Sequence, residues 1–260
     1  MTMKLQKKKQ TLLEEVEEND SKLEMGDDTY TMAFKALHWE TMKELDLNLN
    51  EVHDAVRAAI FVFLIQCTLI FILFIIITQS VDGFTIKLPT ALPVLGARFT
   101  CSILMHLQVE GDMRQGLQMM KYAINHGKDF SNPFYAFFVA FMQSMGGMAA
   151  EIACIIFLCS LTDPIEIIIR FVAFASIGKI DNFYADALPA ENKIKKDSED
   201  MPIKVHRRDM WEKDDRKAAN KFARFIYKTV RVVYAAFIFY FLPYLALFIP
   251  QFVDVAPATA

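Results

Sequence analysis

The sequence is poor in the residues on which many soluble folds and sites depend. Its 260 residues include only nine glycines, nine prolines, five histidines and four cysteines. So few cysteines argue against a disulfide-bonded scaffold, and a net charge of -3 argues against a basic field for nucleic acid. The phosphate-loop, nucleophile-elbow and zinc-protease motifs are all missing. We therefore expect a non-enzymatic protein with no cofactor, no metal site and no nucleic-acid partner.

What the sequence has in excess is apolar residues, which are gathered into long blocks. They make up 54% of the chain, include 23 phenylalanines and give a mean hydropathy of +0.24. About 20 apolar residues cross the hydrocarbon core of a bilayer as a helix. The pattern predicts an all-α, polytopic membrane protein with about five transmembrane helices, at 58–81, 92–110, 133–161, 164–181 and 232–249. The spans at 92–110 and 164–181 are either short crossings or re-entrant segments.

The polar segments predict the orientation of the chain in the membrane. A cytosolic N-terminal arm at 1–57 precedes a transmembrane domain at 58–250, which places the tail at 251–260 on the non-cytosolic side. The segments 111–132 and 182–231 are then cytosolic too, and the three inside segments hold nearly all Lys and Arg, as membrane proteins favour. Three crossings, without the two short spans, satisfy this rule equally well. The choice between an organelle and the plasma membrane stays open.

The N-terminal arm contains an amphipathic stretch at about 28–47. Apolar side chains, among them Phe34 and Trp39, alternate there with charged ones. This pattern is typical of a helix that lies on the membrane surface, where Trp is favoured. A loosely ordered cytosolic arm explains the composition equally well.

A polar stripe interrupts the second predicted span. Its members stand four residues apart and share one slowly winding face of a helix: Arg98, Ser102, His106, Glu110 and Arg114. An ionisable side chain in hydrocarbon costs roughly 3 kcal/mol, so each needs a partner, water or a role. The stripe predicts either a water-lined pathway, in which His106 changes charge near neutral pH, or an interior face sealed by neighbouring helices.

The third and fourth spans carry further buried charge. Glu151 lies in the middle of the third span with Ser144 on the same stripe, and we expect either an ion pair with Arg98 or Arg170 or a cation site. In the fourth span, Glu166 lies four residues before Arg170, the favourable order for an intrahelical pair. Small residues of the third span have the spacing that lets helices approach closely: Gly146, Gly147, Ala149, Ala150 and Ala153.

A basic helix face leads into the last predicted span. Its residues repeat at intervals of four and three: Lys217, Lys221, Arg224, Lys228 and Arg231. Such a face suits a helix that contacts anionic lipid heads on the cytosolic side of the bilayer. Ordinary positive-inside anchoring explains the same residues.

Several motifs of residues 90–250 together resemble a group of multi-pass membrane proteins from ciliates and similar protists. The motifs are 97–101 (ARFTC), 104–107 (LMHL), 116–126 (GLQMMKYAINH), 171–174 (FVAF), 179–184 (KIDNFY) and 239–243 (FYFLP). Lys179 stands where those proteins favour an acidic residue. The resemblance implies a membrane location and supplies no catalytic residue.

Two functional hypotheses follow, and both assume a homo-oligomer in a lipid bilayer. In the first, the protein is an ion channel-type subunit with a polar pathway along Ser102, His106, Glu110, Ser144 and Glu151. In the second, it is a membrane scaffold that forms a lattice, a filament or a curved tubule, with subunits that pack through the small residues of the third span. Transporter, receptor and lipid-handling roles stay open behind these two.

Overall fold

A computed structural model of the chain describes residues 22–23, 25–79, 91–189, 191–198, 203–204 and 218–245. The regular structure of the described part is helical apart from one antiparallel pairing of two residues each, Lys22–Leu23 with Ile203–Lys204, and an isolated bridge between His38 and Phe130. The prediction of an all-α fold is therefore confirmed.

The described residues form nine α-helices. In chain order they are α1 (Thr29–Ala36), α2 (Trp39–Glu44), α3 (Leu49–Thr78), α4 (Leu92–Asn125), α5 (Pro133–Ser160), α6 (Pro164–Gly178), α7 (Ile180–Ala187), α8 (Lys193–Ser198) and α9 (Ala218–Val233). A 3₁₀ turn at Gly127–Asp129 lies between α4 and α5, and a π-helix at Tyr234–Ile238 continues α9.

Four helices are long and apolar enough to cross a membrane. They are Leu49–Ile76, Leu92–Asn125, Pro133–Ser160 and Asn220–Leu245. The last is the shortest, and its 26 residues extend about 39 Å, against a hydrocarbon core of about 30 Å. The chain is thus a multi-pass integral membrane protein, as the sequence predicts.

The predicted fifth span, 164–181, differs from these four. Its helix α6 has 15 residues, which extend only about 22 Å, and a new helix begins at Ile180. The described residues therefore contain four helices of membrane-spanning length, and α6 is the short segment that the sequence predicts as either a short crossing or a re-entrant one.

The first membrane helix begins earlier than the apolar run indicates. The sequence predicts a start at 58, whereas α3 begins at Leu49. A reciprocal pair of hydrogen bonds explains the difference: Asn48 N donates to Glu51 Oε2 at 2.8 Å, and Glu51 N donates to Asn48 Oδ1 at 2.9 Å. Such a capping arrangement satisfies the free amides of a first turn, so the helix begins in polar sequence.

The second membrane helix ends later than predicted, because the expected cytosolic loop at 111–132 is mostly helical. Helix α4 continues to Asn125. Its polar half is partly buried, and Met113, Met119 and Met120 are each at most 1% exposed. The composition resembles a loop, but one face of this half packs in the bundle and keeps it helical.

The first half of the amphipathic stretch at 28–47 is buried in the bundle, whereas Trp39 of α2 is 45% exposed. All eight residues of α1 are buried. Its Tyr30 hydroxyl donates to Gln66 Oε1 of α3 at 2.7 Å, and its Thr29 hydroxyl donates to the Asp181 carbonyl of α7 at 2.6 Å. The expectation of a surface helix is wrong for α1, because other helices cover both of its faces.

The last helix also begins earlier than expected. The predicted loop 182–231 contains α7, α8 and most of α9, which begins at Ala218. The chain then passes through the π-helix and continues as a helix to Leu245. Residues 246–260, with the predicted end of the span at 249 and the tail at 251–260, lie outside the described residues, as does most of the arm before residue 25.

Helices α4 and α5 form the central antiparallel pair. A Cβ added to Gly116 of α4 would lie 2.4 Å from Ser144 Oγ of α5, and one added to Gly147 of α5 would lie 2.8 Å from Val109 Cγ1 of α4. Cβ atoms do not approach other atoms so closely, so glycine is what allows this contact. The close approach places the two helices that carry most of the predicted site side by side.

Candidate functional site

The most buried ion pair of the described residues joins the two central helices. His106 Nδ1 of α4 lies 2.8 Å from Glu151 Oε1 of α5, and the side chains are 10% and 0% exposed. Both residues lie within helices of membrane-spanning length. The sequence predicts the two residues as part of one site, and the structure brings them into direct hydrogen-bonding contact.

An aromatic side chain of the last membrane helix packs against the His106–Glu151 pair. The ring of Phe239 lies edge-on to the ring of His106, with centroids 5.7 Å apart. Phe239 directly follows the π-helix at Tyr234–Ile238. A π-helix is rare and recurs at functional sites, since it turns side chains away from their regular positions. Here the residue that follows it contacts the buried His106 ring.

The second carboxylate oxygen of Glu151 determines what the site can bind. Oε2 is buried and has no hydrogen-bond partner among the described residues. A buried acceptor without a donor is costly, so the position suits a proton or a transient donor. Together His106 and Glu151 can hold one proton, either as an imidazolium–carboxylate pair or as a neutral imidazole and a neutral acid.

The other members of the predicted polar pathway have different contacts. The Ser102 hydroxyl donates to the Arg98 carbonyl of its own helix at 2.8 Å. Glu110 pairs with Arg114, four residues later, as the spacing predicts. Ser144 is buried against Gly116. Of the five predicted pathway residues, only His106 and Glu151 contact each other through hydrogen bonds.

Glu151 has a different partner from those expected. The Arg98 guanidinium donates through Nε and Nη2 to the Leu161 carbonyl, at 3.1 Å and 2.6 Å. Arg98 precedes His106 by eight residues, or about 12 Å along the helix, which explains why Glu151 pairs with His106 instead. The expectation that Arg98 or Arg170 neutralises Glu151 is therefore wrong.

Arg98 is completely buried and has a structural role at the end of α5. Leu161 is the C-cap residue of that helix, so its carbonyl lies at the negative end of the helix dipole. A guanidinium that donates twice to this carbonyl satisfies an acceptor that the helix itself leaves free.

Glu166 and Arg170, two of the predicted counter-charges, form the expected pair within α6. Arg170 Nη2 lies 3.5 Å from Glu166 Oε1, and the two side chains are 32% and 46% exposed. The pair is therefore only partly buried in the bundle, unlike His106 and Glu151. This difference makes it a suitable internal control for the site.

The small residues of the third predicted span are used mainly within the chain. A Cβ on Gly146 would meet Gln66 Oε1 of α3 at 3.0 Å, whereas Gly147 faces α4. Ala150 is buried. Ala149 and Ala153 line an apolar cavity of about 250 Å³ between α3 and α5. The predicted close packing thus occurs between helices of one chain.

The predicted lipid-contacting residues lie on α9, except for Lys217, which is outside the described residues. Lys221, Lys228 and Arg231 are exposed and Arg224 is half-buried. Two large apolar side chains of the same helix, Phe222 and Phe225, are also exposed.

A polar junction at one end of the bundle was not predicted as a site. It includes Asp28, Gln143 and Asp181, which belong to different parts of the chain and are all at most 3% exposed. Burial raises the pKa of Asp181, which lies outside the four long helices, to about 8, and the charges of Asp28 and Asp112 act in the same direction. No spacing in the sequence links these residues, because tertiary packing brings them together.

Among the described residues, no group of three or more His, Cys, Asp or Glu side chains is arranged to hold a metal ion. Comparison with protein-family models, with curated proteins and with solved structures finds no match. The resemblance to membrane proteins of protists stays a prediction, and the function must be argued from the chain itself.

Proposed function

We propose that the protein is a non-enzymatic, ion channel-type membrane protein and that the ion it conducts is the proton. The observation that carries this proposal is the His106–Glu151 pair, buried between helices of membrane-spanning length. Ionisable side chains at such depth are costly and mark ion or proton pathways in membrane proteins. The pair can take up a proton at Glu151 Oε2, and rotation of the carboxyl group then presents the O–H to Nδ1 of a neutral His106 across the 2.8 Å contact. The imidazolium that forms releases a proton from Nε2, which returns the pair to a neutral imidazole and a carboxylate.

The close packing around the pair favours a proton over a larger ion. Gly147, one turn before Glu151, allows α4 and α5 to approach so closely that an added Cβ would lie 2.8 Å from Val109. A hydrated metal ion does not fit between helices at this separation. A proton needs only a chain of hydrogen bonds with side chains or single waters.

The experiment is proton flux into proteoliposomes that contain a pH-sensitive dye, driven by a potassium diffusion potential. We expect Glu151→Gln and His106→Ala to reduce the flux at least tenfold, because neither variant retains a pair that can share a proton. Glu166→Gln is the matched control, since it removes a carboxylate of the partly exposed pair in α6. It should conduct like the wild type.

Two results would contradict the proposal. One is wild-type flux no faster than that of protein-free vesicles. The other is an undiminished flux in Glu151→Gln and His106→Ala. Size-exclusion profiles of all variants in the same detergent verify that a lost flux does not reflect aggregation.

A membrane-scaffold function is the second candidate, and the outer face of α9 favours it. Exposed Phe222 and Phe225 alternate there with the basic residues that we propose contact anionic lipid heads of the cytosolic leaflet. These side chains lie in the first turns of the membrane-spanning helix Asn220–Leu245, and copies of them in a homo-oligomer would occupy one leaflet and bend the membrane. This function predicts tubules when the protein is added to anionic liposomes at high density, and vesicles that stay spherical would contradict it.

A further inference from the structure

Three carboxylates from separate parts of the chain converge where α1, α4 and α7 meet. Asp28 caps the start of α1, Asp112 belongs to α4, and Asp181 lies in the first turn of α7. Asp28 and Asp181 are only 3% and 2% exposed. The charges of Asp28 and Asp112 both act on Asp181. Like charges at a buried junction are repulsive, so at least one group must be neutralised.

Asp28 is the carboxylate of this junction with the most hydrogen-bond donors, and these donors oppose the rise in its pKa that burial causes. Its oxygens accept hydrogen bonds from Thr31 N and Oγ1, both at 2.8 Å, from Gln143 Nε2 at 3.2 Å and from Gln115 Nε2 at 3.3 Å. The positive end of the α1 helix dipole adds to these donors. Four donors and a helix start are the environment of an ionised carboxylate.

Asp181 lies in the first turn of α7 and accepts backbone hydrogen bonds from Asn182 and from its own amide, but it has fewer donors than Asp28. Its Oδ1 is buried and has no hydrogen-bond partner in the described part of the chain. Oε1 of Gln143 is a second buried acceptor without a donor, although the Nε2 of the same side chain donates to Asp28 and so fixes the amide in the junction. Two acceptors without donors, in a site that shields them from water, indicate that a donor is needed there.

We propose that the Asp181 carboxyl is a proton-binding site at this end of the bundle. A proton taken from water forms an O–H bond at the carboxylate, which turns an unpaired acceptor into a donor and removes one of the negative charges beside Asp28. On release, the proton returns to water. The inference goes beyond the proposed function, because it holds whether or not His106 and Glu151 carry a proton across the membrane.

A cavity of about 360 Å³ lies beside the backbone of Asp181. It is lined by Thr29, whose hydroxyl donates to the Asp181 backbone carbonyl, and by Tyr184, one turn after Asp181 on α7. The titratable and charged groups that face the Asp181 carboxyl are Asp28 and Tyr30 of the N-terminal segment, Asp112 of α4 and the flanking Lys179. Those that line the cavity are Glu51, Asp54, Tyr184, Glu191 and Lys193.

The test is infrared spectroscopy of the full chain in lipid nanodiscs over a series of pH values. A protonated carboxyl group has a carbonyl-stretching band that its ionised form lacks. We expect the spectrum of the wild type at pH 6 to contain such a band that is missing in Asp181→Asn and that disappears around pH 8. Asp186→Asn, which changes an exposed residue of the same helix, is the control and should keep the band.

Three outcomes would overturn the proposal. In the first, Asp181→Asn and the wild type have the same band at every pH. In the second, added NaCl removes the band at constant pH, which would identify the site as one for metal cations. In the third, the wild type alone has no neutral-carboxyl band that titrates near pH 8, a result that requires no variant to fold. Loss of proton flux in Glu151→Gln bears on none of these outcomes, so the two proposals fail separately.

Discussion

Replacing Asp181 by Asn should abolish a pH dependence of the protein's stability. Asn has the shape of a neutral aspartic acid and does not titrate. In the folded wild type the pKa of Asp181 is raised from 3.8 to about 8, mainly by burial. Between these two values the folded chain holds a proton that the unfolded chain has lost. The free energy of unfolding therefore falls as the pH rises through this window.

The size of the effect follows from the pKa of the folded chain. Each pH unit within the window changes the free energy of unfolding by about 1.4 kcal/mol per proton. Between pH 6 and pH 9 the ionisation of Asp181 should thus lower the free energy of unfolding of the wild type by roughly 2–3 kcal/mol, and most of this decrease should be complete near pH 8. Asp181→Asn should lack this loss, whatever other groups contribute to both proteins.

The assay is unfolding by sodium dodecyl sulfate in mixed micelles, followed by circular dichroism at pH 6, 7, 8 and 9. The quantity to compare is the difference between wild type and Asp181→Asn at each pH. Asp186→Asn, exposed on the same helix, should follow the wild type. Parallel curves for the wild type and Asp181→Asn would show that Asp181 is ionised in the folded protein and would contradict a proton-binding site there.

Two further predictions concern the packing of the central helices, and both are measured by the same unfolding assay. Arg98→Met removes two charge-assisted hydrogen bonds to the Leu161 carbonyl and should cost about 3 kcal/mol; a cost under about 0.5 kcal/mol would contradict the capping role. Gly116→Ala should destabilise by about 1–2 kcal/mol, because its Cβ would lie 2.4 Å from Ser144 Oγ. Gly111→Ala is the control, because a Cβ added to Gly111 has no other atom within 4 Å, and helix propensity should stabilise this variant by about 0.5–1 kcal/mol. Equal effects at the two glycines would contradict the close approach of α4 and α5.

The apolar blocks allowed the membrane character and the third span to be predicted well. Helix α5 covers Pro133–Ser160, against a prediction of 133–161. Its ends carry strong local signals, since Asn132 accepts from the amides of the first turn and Pro133 occupies the first helical position. Where such signals coincide with the ends of the apolar run, the sequence alone is sufficient to predict the ends of the helix.

The remaining boundaries depend on tertiary packing and could not be predicted in this way. The polar half of α4 is helical because its methionines pack in the bundle, and α1 is buried because α3, α5 and α7 cover it. Hydropathy measures transfer into lipid and does not register burial against other helices of the same chain. For this reason hydropathy predicts a loop for the polar half of α4, and either a surface helix or a loosely ordered arm for the stretch at 28–47.

The candidate site, too, could be predicted from the sequence only in part. The spacing of four residues predicted that His106 faces the interior of the bundle, and the depth of Glu151 predicted that it needs a partner. Which partner it has depends on the antiparallel register of α4 and α5, which the contact of Gly147 with Val109 fixes. The site around Asp181 had no periodic signal at all, because its members come from four separate segments.

The central claim is that His106 and Glu151 carry protons through the bundle. The most direct measurement is the proton flux of wild type, Glu151→Gln and Glu166→Gln in the same proteoliposome preparation. We expect a proton flux in the wild type and in Glu166→Gln and its loss in Glu151→Gln. A Glu151→Gln variant that conducts as well as the wild type would contradict this proton pathway.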